Sequence, residues 1–242
     1  MVDFRFAYLF GCLIFGLIWL FIYLRRPDLR KEQLFMSFFV AIFGLTEPIF
    51  FGEYWHPQFI FSFSSFNLSL EDILLCFFYG GIASTLYEFV FNDVLKTYSR
   101  ESKKTRILEV VVAILSGIAI FLLFWSTFKI NIIYASAIGA IAAGLVFVFF
   151  RKDLFIPAIV GGIIMSLVSF TILAFLGQIF KGIFNVWWRI DLLSGIRILS
   201  IPVEEIVWHF SLGFAAGPMY EVWKGYKDIS TNPTKIPKMP IA

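Results

Sequence analysis

Hydrophobic residues along this chain fall into long runs, and most polar residues are confined to the short stretches between them. An apolar run of about 20 residues is what a helix needs to cross the hydrocarbon layer of a bilayer. Seven runs qualify, roughly 7–24, 33–51, 70–94, 107–126, 131–150, 155–180 and 202–223, and they predict seven transmembrane helices.

Composition closes off a soluble alternative. With 60% hydrophobic, 20% aromatic and 15% charged residues, the chain has too few charges to coat a globular core of 242 residues. The basic residues are also sorted by side. Alternate loops and ends place Arg25, Arg26, Arg30, Lys31, Lys96, Arg100, Lys103, Lys104, Arg106, Arg151, Lys152, Lys224, Lys227, Lys235 and Lys238 on one face. Only Arg5, Lys129, Lys181, Arg189 and Arg197 fall on the other, a division of 15 against 5. Because positive excess marks the cytoplasmic face, a multi-pass protein of the plasma (inner) membrane is expected, with the N-terminus outside and the C-terminus inside. The net charge of +3 then belongs to the cytoplasmic rim and offers no nucleic-acid surface.

The first run reads as a retained span rather than a signal peptide, since its basic cluster follows it and no small-residue cleavage site is present. Cys12 and Cys76 fall inside predicted helices, which removes a disulfide framework and a CxxC metal site. Residues 228–242, with three prolines, are expected to form a disordered cytoplasmic tail.

A gapless repeat runs through this pattern. Residues 55–88 align with 188–221 at a constant offset of 133, pairing Trp55 with Trp188, Glu71 with Glu204, Ile73 with Ile206, Phe77 with Phe210, Gly80 with Gly213, Ala83 with Ala216, Tyr87 with Tyr220 and Glu88 with Glu221. Asp72 and Glu205 are both acids. Apolar bias pairs hydrophobic residues readily, but not rare carboxylates. Spans one to three then correspond to spans five to seven, with the fourth as connector. An odd connector returns the second unit in the first one's orientation, so the repeats are parallel about a pseudo-two-fold axis along the membrane normal. The turns Arg26-Pro27-Asp28-Leu29 and Arg151-Lys152-Asp153-Leu154 agree in a register shifted by eight residues. The expected fold is an all-α integral membrane protein of seven transmembrane helices. Repeat A covers 1–98, the connector with span four 99–130, repeat B 131–227 and the tail 228–242.

Carboxylates in or near bilayer helices are costly and mark functional positions. Ser69-Leu70-Glu71-Asp72 reads as a helix start with Ser69 as N-cap and Asp72 in the capping-box position. Ser200-Ile201-Pro202-Val203-Glu204-Glu205 reads as a similar start with proline in the first turn. The helix dipole favours acids there whatever their function. Two features exceed capping: neither start has a basic partner within a turn, and the second carries two adjacent glutamates. Spacing puts Glu205 and His209 on one face, and Glu204 and Trp208 on another. Glu47, before Pro48 near the outer end of span two, is expected at the same depth. Glu88 and Glu221, near the cytoplasmic ends, are expected to snorkel towards Lys96 and Lys224. The outer loops 52–69 and 181–201 are aromatic-rich, with Tyr54, Trp55, Phe59, Phe61, Phe63 and Phe66 in one and Phe184, Trp187 and Trp188 in the other. They form an interfacial belt, a pair of flaps over the acidic helix starts, or both. His56 is read as an interfacial polar residue of the first loop.

Ile201-Pro202-Val203-Glu204-Glu205 resembles the Pro-x-Glu-Glu signature that opens a transmembrane helix in the membrane-integral lycopene cyclases of the heterodimeric and fused type. Leu68-Ser69-Leu70-Glu71-Asp72 is similar to a degenerate copy of it. Members of that family consist of two homologous three-span halves, separate or fused through an additional span. The first copy here lacks the proline, and Trp208-His209 stand where the family usually continues with phenylalanines. The resemblance implies a carotenoid end-group cyclase that forms ionone rings by acid-catalysed, redox-neutral isomerisation. It implies Glu204, Glu205, Glu71, Asp72 and Glu47 as catalytic carboxyls. Trp55, Trp188, Trp208, Phe77, Phe210 and His209 are expected around the substrate, where aromatic faces stabilise cations. No cofactor and no metal are expected. The expected partners are a hydrophobic polyene or isoprenoid substrate from the bilayer and membrane lipids, without nucleic acid, and a homo-oligomer is left open.

Other classes compete. Glu204-Glu205-x-x-x-His209 is superficially similar to the Glu-Glu-x-x-x-Arg motif of an intramembrane glutamate-type protease, but the arginine is replaced and two histidines are too few for that family's further motifs. A non-catalytic carotenoid- or isoprenoid-binding or transport protein fits parallel repeats, although its polar groups are expected at the midplane. A retinal protein needs a lysine deep in the last helix, whereas Lys224 lies at its end. Neither a strand-linked GxGxxG nor a P-loop is present, which removes flavin-dependent cyclases and nucleotide-driven pumps. His56 and His209 alone make no metal site, and no DxxxD spacing supports a magnesium–diphosphate site.

Overall fold

The computed structural model describes residues 3–63, 68–92, 95–97 and 102–228. Phe66, Arg100, Lys235, Lys238 and the expected tail from 229 onwards lie outside the described residues, as do the side chains of Lys96 and Lys227. Helix α1 spans Arg5–Arg25 and α2 Arg30–Ala41, the latter continuing as a 3₁₀ segment over Ile42–Phe50. A hairpin of β1 (Ser62–Phe63) and β2 (Leu68–Ser69) leads into α3, Leu70–Phe91. Strand β3 (Leu95–Thr97) precedes α4 (Lys103–Leu122), which ends in a π turn over Leu123–Thr127. Then come α5 (Ile132–Phe150), α6 (Phe155–Ile179) and the short α7 (Ile183–Trp187). A second hairpin, β4 (Arg197–Ile198) and β5 (Ile201–Pro202), leads into α8 (Val203–Ala216), followed by α9 (Met219–Lys224) and β6 (Tyr226–Asp228).

Among the described residues, six helical runs are long and apolar enough to cross a membrane: Arg5–Arg25, Arg30–Phe50, Leu70–Phe91, Lys103–Thr127, Ile132–Phe150 and Lys152–Ile179. The seventh expected span, 202–223, is two helices instead of one. Pro218 brings no backbone N–H and caps α9, so α8 stops at Ala216. A helix of that length reaches about 21 Å, short of a hydrocarbon core of about 30 Å. The second hairpin corrects another expectation. Pro202 is the N-cap of α8 rather than a residue of its first turn, and Leu199 and Ser200 form the hairpin turn with φ of 51° and 70°. Two successive positive φ values match a type I′ turn, usually made by Asn-Gly, so this tip carries backbone strain. Ser69 does cap α3, its hydroxyl accepting from Asp72 N at 3.0 Å.

Helix α3 packs on both α1 and α2, and α8 packs on both α5 and α6; α4 lies on α5, and α3 meets α6 and α8 at the centre. Small residues allow the closest crossings. A Cβ at Gly80 would run into Val40 of α2 and come within 2.7 Å of the Met36 carbonyl. One at Gly213 would come within 2.9 Å of Met165 Cβ and 3.0 Å of Gly162 Cα in α6. The basic turns also match: Arg26 binds Asp28 and Arg151 binds Asp153, both at 2.7 Å. Arg26 further donates to the Glu88 carbonyl (2.6 Å) and Arg151 to the Glu221 carbonyl (3.5 Å). Strands β3 and β6 pair antiparallel at this end of the bundle.

Candidate active site

At the opposite end the aromatic loops meet the acidic helix starts. The loops are first stitched to each other. His56 N donates to the Trp187 carbonyl at 2.6 Å and Arg189 N to the Tyr54 carbonyl at 2.8 Å, while the Arg189 guanidinium reaches the Gly52 carbonyl at 2.9 Å. That guanidinium also pairs with exposed Asp191 and holds its carboxyl below the usual carboxylate range. Trp55 and Trp188 bridge through their backbones with ring centroids 5.5 Å apart, and Tyr8 and Trp187 lie 5.5 and 6.3 Å from Trp55. All three tryptophans are buried, so these rings fold inward over the acids rather than forming an exposed belt. His56 is exposed.

Beneath this roof the acids sort into two rows. Glu71 Oε1 accepts from Ile60 N (2.8 Å) and Phe61 N (3.0 Å); Glu204 Oε1 accepts from Ser194 N (2.8 Å) and the Tyr134 hydroxyl (2.5 Å). Phe61 and Ser194 stand at the same offset of 133 as the two glutamates. The first acid of each helix start therefore fastens the loop that precedes its own helix.

The second acid of each start has different company. Asp72 accepts from the hydroxyls of Tyr8 (2.7 Å) and Ser69 (2.8 Å). Glu205 Oε1 accepts from the Trp188 indole (2.7 Å) and from the Tyr54 hydroxyl, a donor carried across by the stitched loops. Its other oxygen faces His209 Nε2 at 3.3 Å, the i,i+4 pairing expected from spacing. His209 Nδ1 lies 3.2 Å from the Tyr79 hydroxyl, which donates to the His209 carbonyl at 3.1 Å, and the two rings stack. Among the described residues, His209 is the only ion-pair partner of these acids.

Glu47 completes the cluster. Its Oε1 accepts from the Trp55 indole at 2.8 Å, and the charges of Asp72 and Glu205 both act on it. The 3₁₀ segment brings it there. A Cβ at Gly44 would lie 2.8 Å from Ile73 Cα and 2.9 Å from the Asp72 carbonyl, so only glycine lets this segment close on the start of α3.

Trp208 lies 5.2 Å from the His209 ring and donates to the Ser136 hydroxyl at 3.1 Å. Phe77 packs on Trp19 and Phe38, and Phe210 stacks on Phe214, so the structure does not bring these two rings to the acids. Sequence reasoning missed the tyrosines: Tyr8, Tyr79 and Tyr134 each place one hydroxyl in an otherwise apolar run, the signal that was there to be read. An apolar groove of about 420 Å³ opens between α1 and α6, lined by Ile14, Ile18, Ile164, Val168, Ile172 and Phe175. Ser169 on the same stretch of α6 interacts with Tyr79.

No curated protein and no solved structure matches this chain. The family model described as lycopene cyclase matches residues 131–223, the stretch that carries Trp188, Glu204, Glu205 and His209, and this match supports assigning the chain to the lycopene cyclase family.

Proposed function

We propose that this protein cyclises the end group of a carotenoid of the lycopene type, taken from the bilayer. The observation that carries the reading is Glu205. It is a buried carboxyl whose one oxygen is held by an indole and a tyrosine hydroxyl, whose other oxygen faces a histidine, and which lies within electrostatic reach of Glu47, itself within reach of Asp72, under a tryptophan roof. The Tyr79 hydroxyl has one proton, donated to the His209 carbonyl, so its oxygen accepts from Nδ1–H. Nε2 and the Glu205 carboxyl then share a proton between them, and that dyad is the acid.

Its proton adds to the terminal double bond of the polyene and leaves a tertiary carbocation. The neighbouring double bond attacks that carbon, the ring closes, and the cation moves onto the ring, where indole and phenol faces stabilise it. Asp72, its oxygens already held by Tyr8 and Ser69, takes the departing ring proton. Glu47, within electrostatic reach of both Asp72 and Glu205, returns that proton to the dyad. No electron is gained or lost. The groove between α1 and α6 admits the apolar chain; buried Ser169, next to Val168 of its lining, interacts with Tyr79, the partner of His209.

The matching loop anchors of Glu71 and Glu204, the matching crossings at Gly80 and Gly213 and the paired Arg–Asp turns support two parallel copies of one three-helix unit, with α8 and α9 together making the seventh span. The distribution of Lys and Arg supports an external N-terminus, with the acids towards the outer leaflet.

The test is pigment chromatography of lycopene-accumulating bacterial cells that express the full chain or its Glu205→Gln variant. Monocyclic or bicyclic carotene with the first and none with the second is expected. Unchanged lycopene with a folded wild-type chain overturns the reading in favour of a binding role.

A further inference from the structure

At the end of the bundle remote from the tryptophans, three glutamates converge. Glu32 comes from the first turn of α2, Glu88 from the last turn of α3 and Glu221 from α9, with 3%, 5% and 2% of their surfaces exposed. Each offers one carboxylate oxygen, and the three oxygens lie within 4.8 Å of one another. The snorkelling expected for Glu88 and Glu221 does not occur. Arg26 and Arg151 stand at the rim, each holding its own aspartate and a backbone carbonyl, and the glutamate side chains turn inward.

Burial makes this arrangement costly. Oε1 of Glu32 receives no hydrogen bond from the described residues, and the Glu221 carboxylate meets no N–H or hydroxyl donor there, only the Glu88 carboxyl. The groups that act most strongly on Glu32 are Glu221 and Glu88, with Asp28 and Arg26 further down; those acting on Glu221 are Glu88 and, beyond it, Arg151. Buried carboxylates without donors must be neutralised, by a proton or by a cation. The spacing favours the cation. Hard divalent ions bind carboxylate oxygens at about 2.0–2.6 Å, so two ligands on opposite sides of one ion lie about 4–5 Å apart. The cavity beside Glu88 and Glu221, bounded by Ala83, Ser84, Gly217 and Pro218, holds about 10 Å³, which is room for one water and none for an organic ligand.

We propose that Glu32, Glu88 and Glu221 bind one hard divalent cation, Ca²⁺ or Mg²⁺, which clamps α2 and α3 to α9. The site joins the first half of the chain to the second where Gly217-Pro218 interrupts the last helical stretch. It lies about 25 Å from the acid centre, the length of the 17 residues of α3 that separate Glu71 from Glu88. It does not depend on the reaction assigned to that centre.

The experiment uses the purified full-length chain in detergent, stripped with chelator, dialysed against Ca²⁺ or Mg²⁺ and read by elemental analysis and thermal unfolding. One bound cation per chain and a rise in Tm of about 5 °C or more at saturating metal are expected. Glu221→Gln and Glu32→Gln should each lose the bound ion and the metal-dependent rise while keeping the elution profile of the stripped wild-type protein. A wild-type chain that retains no ion and unfolds at the same temperature with and without millimolar Ca²⁺ or Mg²⁺ overturns the proposal and leaves the carboxyls neutralised by protons.

Discussion

At the aromatic end, Glu205 receives an indole and a hydroxyl on one oxygen and faces His209 with the other; at the opposite end, Glu32 and Glu221 present oxygens that no N–H or hydroxyl donor of the described residues reaches. Both groups are buried, and both draw on the two halves of the chain. What differs is the supply of donors. Tyr54, Trp188, Tyr8, Ser69 and Trp55 aim N–H and O–H groups at the first set of carboxyls, whereas the second set faces mainly other carboxyls. A carboxyl held by directed donors can take up and release a proton at a fixed position, and a donor-poor cluster needs a countercharge of its own. Residue type and burial alone do not distinguish these outcomes.

The strongest way to break the comparison is to exchange charge for amide at the aromatic end. Glu205→Gln removes the proton-sharing oxygen opposite His209 and should lower cyclised product about 10²-fold or more, the usual worth of a general acid. His209→Gln should do the same. Glu204→Gln keeps a carbonyl oxygen to accept from Ser194 N and the Tyr134 hydroxyl, so product should fall less than about tenfold. Pigment extracts from cells with matched amounts of membrane protein provide the measurement. A Glu204 variant as inactive as the Glu205 variant would erase the division between anchoring and reacting acids.

That division was only partly legible in the sequence. The apolar runs announced the helices, because 20-residue hydrophobic stretches have few other structures open to them. The Glu205–His209 face followed from helical spacing. The roles of neighbours such as Glu204 and Glu205 did not follow, since successive helical residues point about 100° apart and the partner each meets is set by loops far away in sequence. Tyr54 reaches Glu205 only because residues 54–56 pair with 187–189. The 3₁₀ segment that delivers Glu47 depends on the contact of Gly44 with α3, and the turn at Leu199-Ser200 uses residues that local preference would not choose. A basic rim predicts surface-seeking Glu88 and Glu221, but the arginines there are set against aspartates and backbone carbonyls.

A smaller effect sharpens the aromatic end. Tyr54→Phe deletes the donor that crosses from the first half to Glu205 and leaves the Trp188 indole in place. A hydrogen bond to a charged group contributes about 1.5–3 kcal/mol, so product formation should fall roughly 10- to 100-fold. The chain should still fold, since the phenyl ring keeps the packing against Trp55. If Tyr54→Phe is as active as wild type, the bond across the halves positions nothing, and Glu205 depends on its own half alone.

The smallest expected effect separates the rim from the glutamate cluster at the other end. Asp28 lies between α1 and α2, 45% of its side chain is exposed, and the Arg26 guanidinium holds its carboxyl below the usual range. A carboxyl with a depressed folded-state pKa adds stability above its unfolded value of about 3.9, and that contribution disappears as pH falls through the folded value. Solvent screens so exposed a pair, so Asp28→Asn should lower Tm at pH 7 by only about 1–2 °C. The difference should persist down to about pH 5 and vanish in stronger acid. The comparison belongs in chelated protein, where no divalent ion contributes. There a large, pH-independent loss on Asp28→Asn would mean that the rim ion pair, rather than the buried carboxyls, is what holds this end of the bundle together.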